Sequence, residues 1–302
     1  MDGVLVVDKP RGPTSHDIVD RVRRVLRTRR VGHTGTLDPF ATGVLVLCVG
    51  RATRLARFLA AGEKAYRASV RLGFATTTDD ATGDPLEAER PVAIDDAALR
   101  DALAGLVGTF DQVPPAFSAR QVGGRRLYEL ARRGEAVARA ATPVTVHALE
   151  LVSRGPATLE LDVLCSPGTY VRALARDLGE RLGTGGHLVA LRRTRSGAFD
   201  LSQAVSGDDL ADAASRLVPL SGLLPELPAV RVGEEGRRLV GHGREIGLEH
   251  IVSEIPTGGV ERVRLVTESG ELLALAVASG FEENTSPLPR RPTLRPDLVL
   301  IG

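Results

Sequence analysis

The chain has 302 residues, 43% of them hydrophobic and 25% charged, with a formal net charge of +1. That is ordinary globular composition, with room for about two domains and a core that needs no covalent staples. No apolar run reaches the length of a membrane span, and MDGVLVVDKP lacks the basic start and long apolar stretch of a signal peptide, so a cytoplasmic protein is expected. Cys48 and Cys165 lie in apolar runs and read as buried thiols, and the six histidines show no zinc-binding spacing. The charge is unevenly spread. Residues 1–67 carry 13 Lys+Arg against 6 Asp+Glu, residues 68–119 carry 3 against 9, residues 120–200 carry 13 against 8, and residues 201–302 carry 10 against 15. Two basic segments separated by an acidic one can fold into a single basic face, as a polyanion-binding protein requires.

In chain order, GVLVVDKP (3–10) reads as a buried strand that ends at a proline turn. Thr14 or Ser15 caps the following helix, with Asp17 in its first turn and Ile18, Val19, Val22, Val25 and Leu26 as its apolar stripe. Arg21, Arg24 and Arg27 lie off that stripe. GHTGTLDPFATG (32–43) is a loop between the basic RTRR (27–30) and the apolar strand VLVLCVG (44–50). A helix is predicted over 52–62, a strand over 66–74, a polar surface loop or hairpin over 76–91 and a helix over 94–108. Residues 113–135 are proline-led, then glycine-led, then helical and basic. VTVHALELV (144–152) and ATLELDVLC (157–165) are two strands, SPGTYVRALARDLGERLG (166–183) turns into a helix, and residues 187–205 read as strand, turn, strand. The strands alternate with single helices, so the fold class is mixed α/β up to about residue 225. A proline-marked joint (223–232) then leads to a short, acidic, β-rich tail, with two strands in RVRLVTESGELLALAVAS (262–279).

The loop 32–43 poses the chemical question, because it holds one carboxylate, Asp38, between a basic and an apolar run. It lacks the phosphate-binding patterns GxxxxGK[ST] and GxGxxG, and no serine nucleophile elbow occurs in the chain. Its glycines allow the backbone to approach a ligand closely. On the residues alone, Asp38 is either a reactive acid or part of a plain Asx-Pro turn.

DKPRGPTSHD, GHTGTLDPFATGVLVLCVGRATR and KAYRASVRLG, with VPPAFSARQVGGRRLYELARRG and CSPGTYVRALARDLGERLGTGGHLVALRRTRSG further on, resemble the signatures of the bacterial tRNA pseudouridine-55 synthases, the TruB family. They occur in order between residue 3 and about 200. The resemblance implies a pseudouridine-synthase catalytic domain over 1–225 and a small PUA-like RNA-binding domain over 226–302. It implies isomerisation of one T-arm uridine of tRNA to pseudouridine, in which the base leaves C1′ through N1, turns over and rejoins through C5. No cofactor is expected, and the expected partner is the tRNA T-arm stem-loop, with a monomer acting alone. The family's essential acid falls on Asp38, which attacks C6, attacks C1′ or removes the 2′ proton. Its paired arginine falls on Arg172, its stacking tyrosine on Tyr66, and its uracil-pocket positions on Tyr170 and Leu191. His33 falls on the residue that fills the place left by the flipped base. The target base is stacked inside the T-loop, so it must be flipped out to react. Two other classes compete. A tRNA-binding or RNA-folding protein without catalysis has no reason to keep an acid on a basic face. A glycosidase needs a second acid close by, and the loop supplies none.

Overall fold

A computed structural model describes residues 1–118, 138–254, 261–279 and 293–301, together with the backbone of a two-strand ladder at 121–122 and 125–126. The helix expected towards residue 135 and the arginine side chains at 120–126 lie outside the described residues.

The continuous apolar runs become strands that are buried on both faces, as such runs should. These are β1 (Gly3–Lys9) and β3 (Thr42–Val49), paired antiparallel along their whole length. Between them come helix α1 (Ser15–Val25) and the short strand β2 (Val31–His33), which pairs with β3 and was not expected inside the glycine-rich loop. Thr14 caps α1 in a capping box with Asp17, and Ile18, Val19 and Val22 are buried, whereas Val25 is exposed. The helix expected over 52–62 begins as a 3-10 turn, Gly50–Leu55, and only Ala56–Ala60 is α-helical (α2).

The alternating segments become one-sided strands. In β4 (Lys64–Leu72), Lys64, Tyr66, Ala68, Val70 and Leu72 all point inward. Helix α3 (Asp96–Ala104) and strands β5 (Gly108–Gln112), β6 (Thr142–Arg154) and β7 (Thr158–Cys165) follow. Helix α4 (Val171–Arg181) and strand β8 (Gly186–Ser196) complete the main body. The main sheet runs β1-β3-β8-β4-β7-β6-β5, with a short parallel partner at Val205–Ser206 outside β1. All the long neighbouring pairs are antiparallel except one. The exception is β3 and β8, which run parallel and meet at only two positions, Thr42 with Arg192 and Gly43 with Arg193. The Asp38 loop enters the sheet at this narrow seam.

One core layer lies between the sheet and helices α1, α3 and α4. A second covers the opposite face of β1 and β3, where Val4, Val6, Val44 and Val46 meet Leu55 and Leu59. Its other half comes from the tail. There a five-stranded sheet is built from β9 (Ala229–Arg231), β10 (Ile246–Gly247), β11 (Arg262–Val266), β12 (Leu272–Ser279) and β13 (Thr293–Val299). Val266, Leu272, Leu275, Leu298 and Leu300 pack into the same cluster as the β1 and β3 valines. The tail sheet also carries a helix that the sequence reading missed, α5 (Glu234–Gly241).

Candidate active site

The Asp38 loop is pinned from three sides through its backbone. Ser15, at the start of α1, donates its hydroxyl to the Leu37 carbonyl at 3.0 Å and accepts the Leu37 N–H at 2.8 Å. Thr14 does the capping, so Ser15 is free for this task. Lys9, fully buried at the end of β1, donates to the carbonyls of Pro10, Pro13 and Pro39. Burial pulls its pKa down to about 8, with the Asp38 charge opposing. Arg193, buried on β8, donates to the carbonyls of Val44 (2.7 Å), Gly35 (3.1 Å) and Thr36 (3.4 Å). Gly43 makes this approach possible. Its φ is +100°, and a Cβ there would sit 2.2 Å from the Arg193 carbonyl oxygen.

Asp38 meets Arg172 from the first turn of α4. Arg172 Nε lies 3.0 Å from Oδ2, and Nη2 lies 3.3 Å from Oδ1. The Arg172 side chain is 5% exposed and that of Asp38 is 34% exposed, so the acid is the more open member of the pair at the cavity wall. Arg172 also donates to the carbonyls of Thr78 and Phe117 and lies 3.3 Å from Asp80 Oδ2. The segment expected as a surface loop is therefore partly interior, with Thr76, Asp79 and Asp80 buried. Asp80 is the second acid that the Asp38 loop does not supply. It is tied to Thr78, Thr82 and Arg172 and does not line the cavity. Burial raises the Asp38 pKa, Arg172 opposes the rise, and the nearby Asp80 charge adds to it. Gln112 sets the start of α4 by bonding the Tyr170 backbone through both ends of its amide.

The cavity has a volume of about 320 Å³. It is lined by Asp38 and Arg172 on one wall and by Lys64, Tyr66, Leu191 and Arg193 on its floor. The floor follows from strand register. Lys64 and Tyr66 are two apart on β4, Leu191 and Arg193 are two apart on β8, and Tyr66 pairs directly with Arg193. Tyr66 is 8% exposed, and burial raises its hydroxyl pKa against the opposing effect of Arg193. Tyr170 lines the rim. The structure thus brings together Asp38, Tyr66, Tyr170, Arg172 and Leu191. His33 is the exception, since it sits on β2 and is not among the cavity-lining residues. Its Nδ1 is buried with no hydrogen-bond partner, and burial lowers its pKa. Among the described residues, no group of three His, Cys, Asp or Glu comes together as a metal site.

A family profile described as "TruB family pseudouridylate synthase (N terminal domain)" matches residues 23–171, and one described as "tRNA pseudouridylate synthase B C-terminal domain" matches residues 172–218. A protein named tRNA pseudouridine synthase B from Thermobifida fusca (strain YX) is 48% identical over 284 residues, 91% of this chain and 94% of that one. The chain belongs to the TruB family of pseudouridylate synthases. A further TruB-family relative of the same name, from Leifsonia xyli subsp. xyli (strain CTCB07), is 44% identical over 94% of this chain and 95% of that one. Among solved structures, a chain from the crystal structure of a Cbf5-Nop10-Gar1 complex superposes with a TM-score of 0.73 at 26% identity, covering 99% of this chain and 85% of that one. Both TruB profiles end before the tail sheet begins at Ala229.

The sequence reading missed Arg193, Asp80, Gln112 and the clamp formed by Ser15. Arg193 had a signal, because it stands two residues from the inward Leu191 on an alternating strand. The three arginines at 192–195, within the second basic segment, have different surroundings. Arg193 is buried, Arg192 pairs with Asp8 at 2.7 Å, and Arg195 lies 3.4 Å from Glu63.

Proposed function

We propose that this TruB-family protein isomerises uridine 55 of the tRNA T-arm to pseudouridine, with Asp38 as the catalytic residue and no cofactor. The observation that carries the reading is the Asp38–Arg172 pair at a cavity floored by Tyr66. The pair gives an acid that is held beside a cation, oriented by it and partly open to the cavity. An acid so placed can reach C6, C1′ or the 2′ proton of a nucleotide delivered into the cavity. The base arrives flipped out of the T-loop, since a base stacked inside the loop must leave the stack to reach Asp38. Tyr66 stacks on it, Leu191 and Tyr170 bound it, and His33 lies towards the RNA it has left.

RNA of this kind is gripped through its backbone and shape. Arg24, Arg27, Arg29 and Arg30 are exposed at the end of α1 and beyond, beside the loop, and suit phosphate contact. We place the division between catalytic and tail modules at residues 225 and 226. The tail acts as a PUA-like RNA-binding module, and the chain works as a cytoplasmic monomer. No helix among the described residues is long and apolar enough to cross a membrane.

The test is incubation with an unmodified tRNA transcript followed by site mapping of pseudouridine. Product at position 55 is expected from the native chain. Asp38→Asn should bind tRNA nearly as well and form no product, because binding rests on phosphate contacts elsewhere. Turnover by Asp38→Asn within roughly tenfold of the native chain would remove Asp38 from the chemistry. Binding and refolding of tRNA by the native chain without product would favour the non-catalytic alternative.

A further inference from the structure

The cavity has two walls of opposite character. On one wall, Arg172 stands between two carboxylates, Asp38 and Asp80. On the floor, Lys64 and Arg193 carry two positive charges, and neither has a carboxylate within ion-pair distance among the described residues. Lys64 is 5% exposed and donates to the carbonyls of Ala60 (3.1 Å) and Gly62 (2.7 Å). An ammonium has three N–H donors, so these bonds leave one over. Arg193 is 2% exposed and donates to three carbonyls of the Asp38 loop and β3. Each is a buried cation held by dipoles alone, an arrangement that costs stability. Burial brings the Lys64 pKa down to about 8, and the positive neighbours Arg193 and Arg195 push it the same way. Neutral donors could have tied the same carbonyls at lower cost.

We propose that Lys64 and Arg193 form a cationic seat for the uracil ring while it is detached from the ribose. This rests on the isomerase reading above. When the N1–C1′ bond breaks, both electrons stay with N1, and the ring becomes an anion with its charge spread over N1, O2 and O4. C1′ is meanwhile taken by an Asp38 oxygen, or the 2′ proton passes to Asp38. If Asp38 first adds to C6, the ring already carries the charge as an enolate, N1 departs to leave C1′ as an oxocarbenium ion that C5 then attacks, and Asp38 leaves C6 as C5 loses its proton. On every route the base turns over as an anion. It then attacks C1′ through C5, which displaces Asp38 or returns the 2′ proton. C5 loses its proton and N1 gains one. A preorganised positive floor lowers the energy of that anion without water and without changing the affinity for uncharged uridine. It also keeps a detached ring from diffusing out of the cavity.

The variant that separates charge from structure is Lys64→Gln, which keeps N–H donors for the two carbonyls and loses the charge. Thermal unfolding first establishes that it folds. The single-turnover rate on tRNA should fall about 100-fold while tRNA affinity stays within about threefold. Lys64→Arg should keep at least about a tenth of the native rate. A tRNA with 5-fluorouridine at the target gives the second readout, because fluorine stabilises the ring anion. The Lys64→Gln defect in consuming that substrate should shrink to about tenfold or less. If Lys64→Gln does not fold, Arg193→Lys against Arg193→Gln gives the same comparison from the other cation. A rate for Lys64→Gln within about threefold of native would overturn the proposal, as would an equal defect on both substrates. A native chain that forms no pseudouridine would instead overturn the isomerase reading itself.

Discussion

Replacing Arg172 by methionine tests whether this arginine keeps Asp38 ionised. The substitution leaves two carboxylates, Asp38 and Asp80, facing each other across the gap, and it leaves the carbonyls of Thr78 and Phe117 without their donor. Two unit charges near 4 Å attract by about 4 kcal/mol at an effective dielectric constant of about 20. Asp38 is partly open to the cavity, so solvent screens the pair, and about half of that attraction is a reasonable share. Burial already raises the Asp38 pKa and Arg172 opposes the rise, so removing Arg172 pushes it further in the same direction. The sign follows directly. With Asp38 acting ionised as proposed, activity is lost as pH falls through its pKa, and a higher pKa moves the acidic limb of the rate profile to higher pH. A loss of about 2 kcal/mol corresponds to a displacement of roughly 1.5 pH units. The assay is single-turnover pseudouridine formation at saturating tRNA between pH 5 and 9, for the native chain, Arg172→Met and Arg172→Lys. The lysine variant should fall between the other two, because a point charge replaces a fork. An acidic limb that stays within about 0.3 pH units in Arg172→Met would refute the reasoning, whatever the loss of rate.

Three other outcomes follow from the geometry. Gly43→Ala drives a methyl group into the Arg193 backbone and should cost about 3 kcal/mol or more in stability, with most of the activity, read by thermal unfolding and pseudouridine assay; an unchanged melting temperature would mean that the seam relaxes freely. Ending the chain at residue 225 removes Val266, Leu272, Leu275, Leu298 and Leu300 from the cluster they share with β1, β3 and α2, and leaving a matching area of about five side chains half-exposed costs about 4–7 kcal/mol, comparable with the whole stability of a domain. The shortened chain should therefore be insoluble or molten by circular dichroism, whereas a cooperative transition within about 5 °C of the full chain would show that the shared core is dispensable. Tyr66→Phe keeps the stacking face and loses the hydroxyl, while Tyr66→Leu loses both and should forgo a further 1–3 kcal/mol or so of base stacking. Equal, small defects in product formation would remove Tyr66 from the base pocket.

The strands were legible because burial writes itself into hydropathy. VLVLCV is apolar throughout, since both of its faces are covered, and YRASVRL alternates, since only one is. The tail helix α5 was not legible, because GEEGRRLVG is short and mostly polar and buries only Gly236, against His250 and Val232, and Val240, in the tail core. In the candidate site, the residues alone left Asp38 open between an acid and a turn. Its partner Arg172 lies 134 positions away and could be named only through the family resemblance. Arg193 was hidden for a physical reason. An arginine in a run of arginines reads as a solvated face, and only the register with Tyr66 shows that this one turns inward. Asp80 was hidden because a polar, turn-rich segment gives no sign that it folds back under a helix.

The two-residue parallel junction between β3 and β8 has a consequence for how the molecule comes into being. β1, α1, β2 and β3 are complete within the first 49 residues, while β4 to β8 form a second assembly over residues 64–196. Contacts within each assembly close shorter loops than the contacts that join them, and short loops close first. The joining contact brings Arg193 to Val44 across 149 positions, and it also seats the carbonyls that shape the Asp38 loop. A nascent chain that has made only the first assembly carries the acid, but it has neither the cation behind it nor the floor beneath it. The proposed site is therefore complete only once the two assemblies have joined.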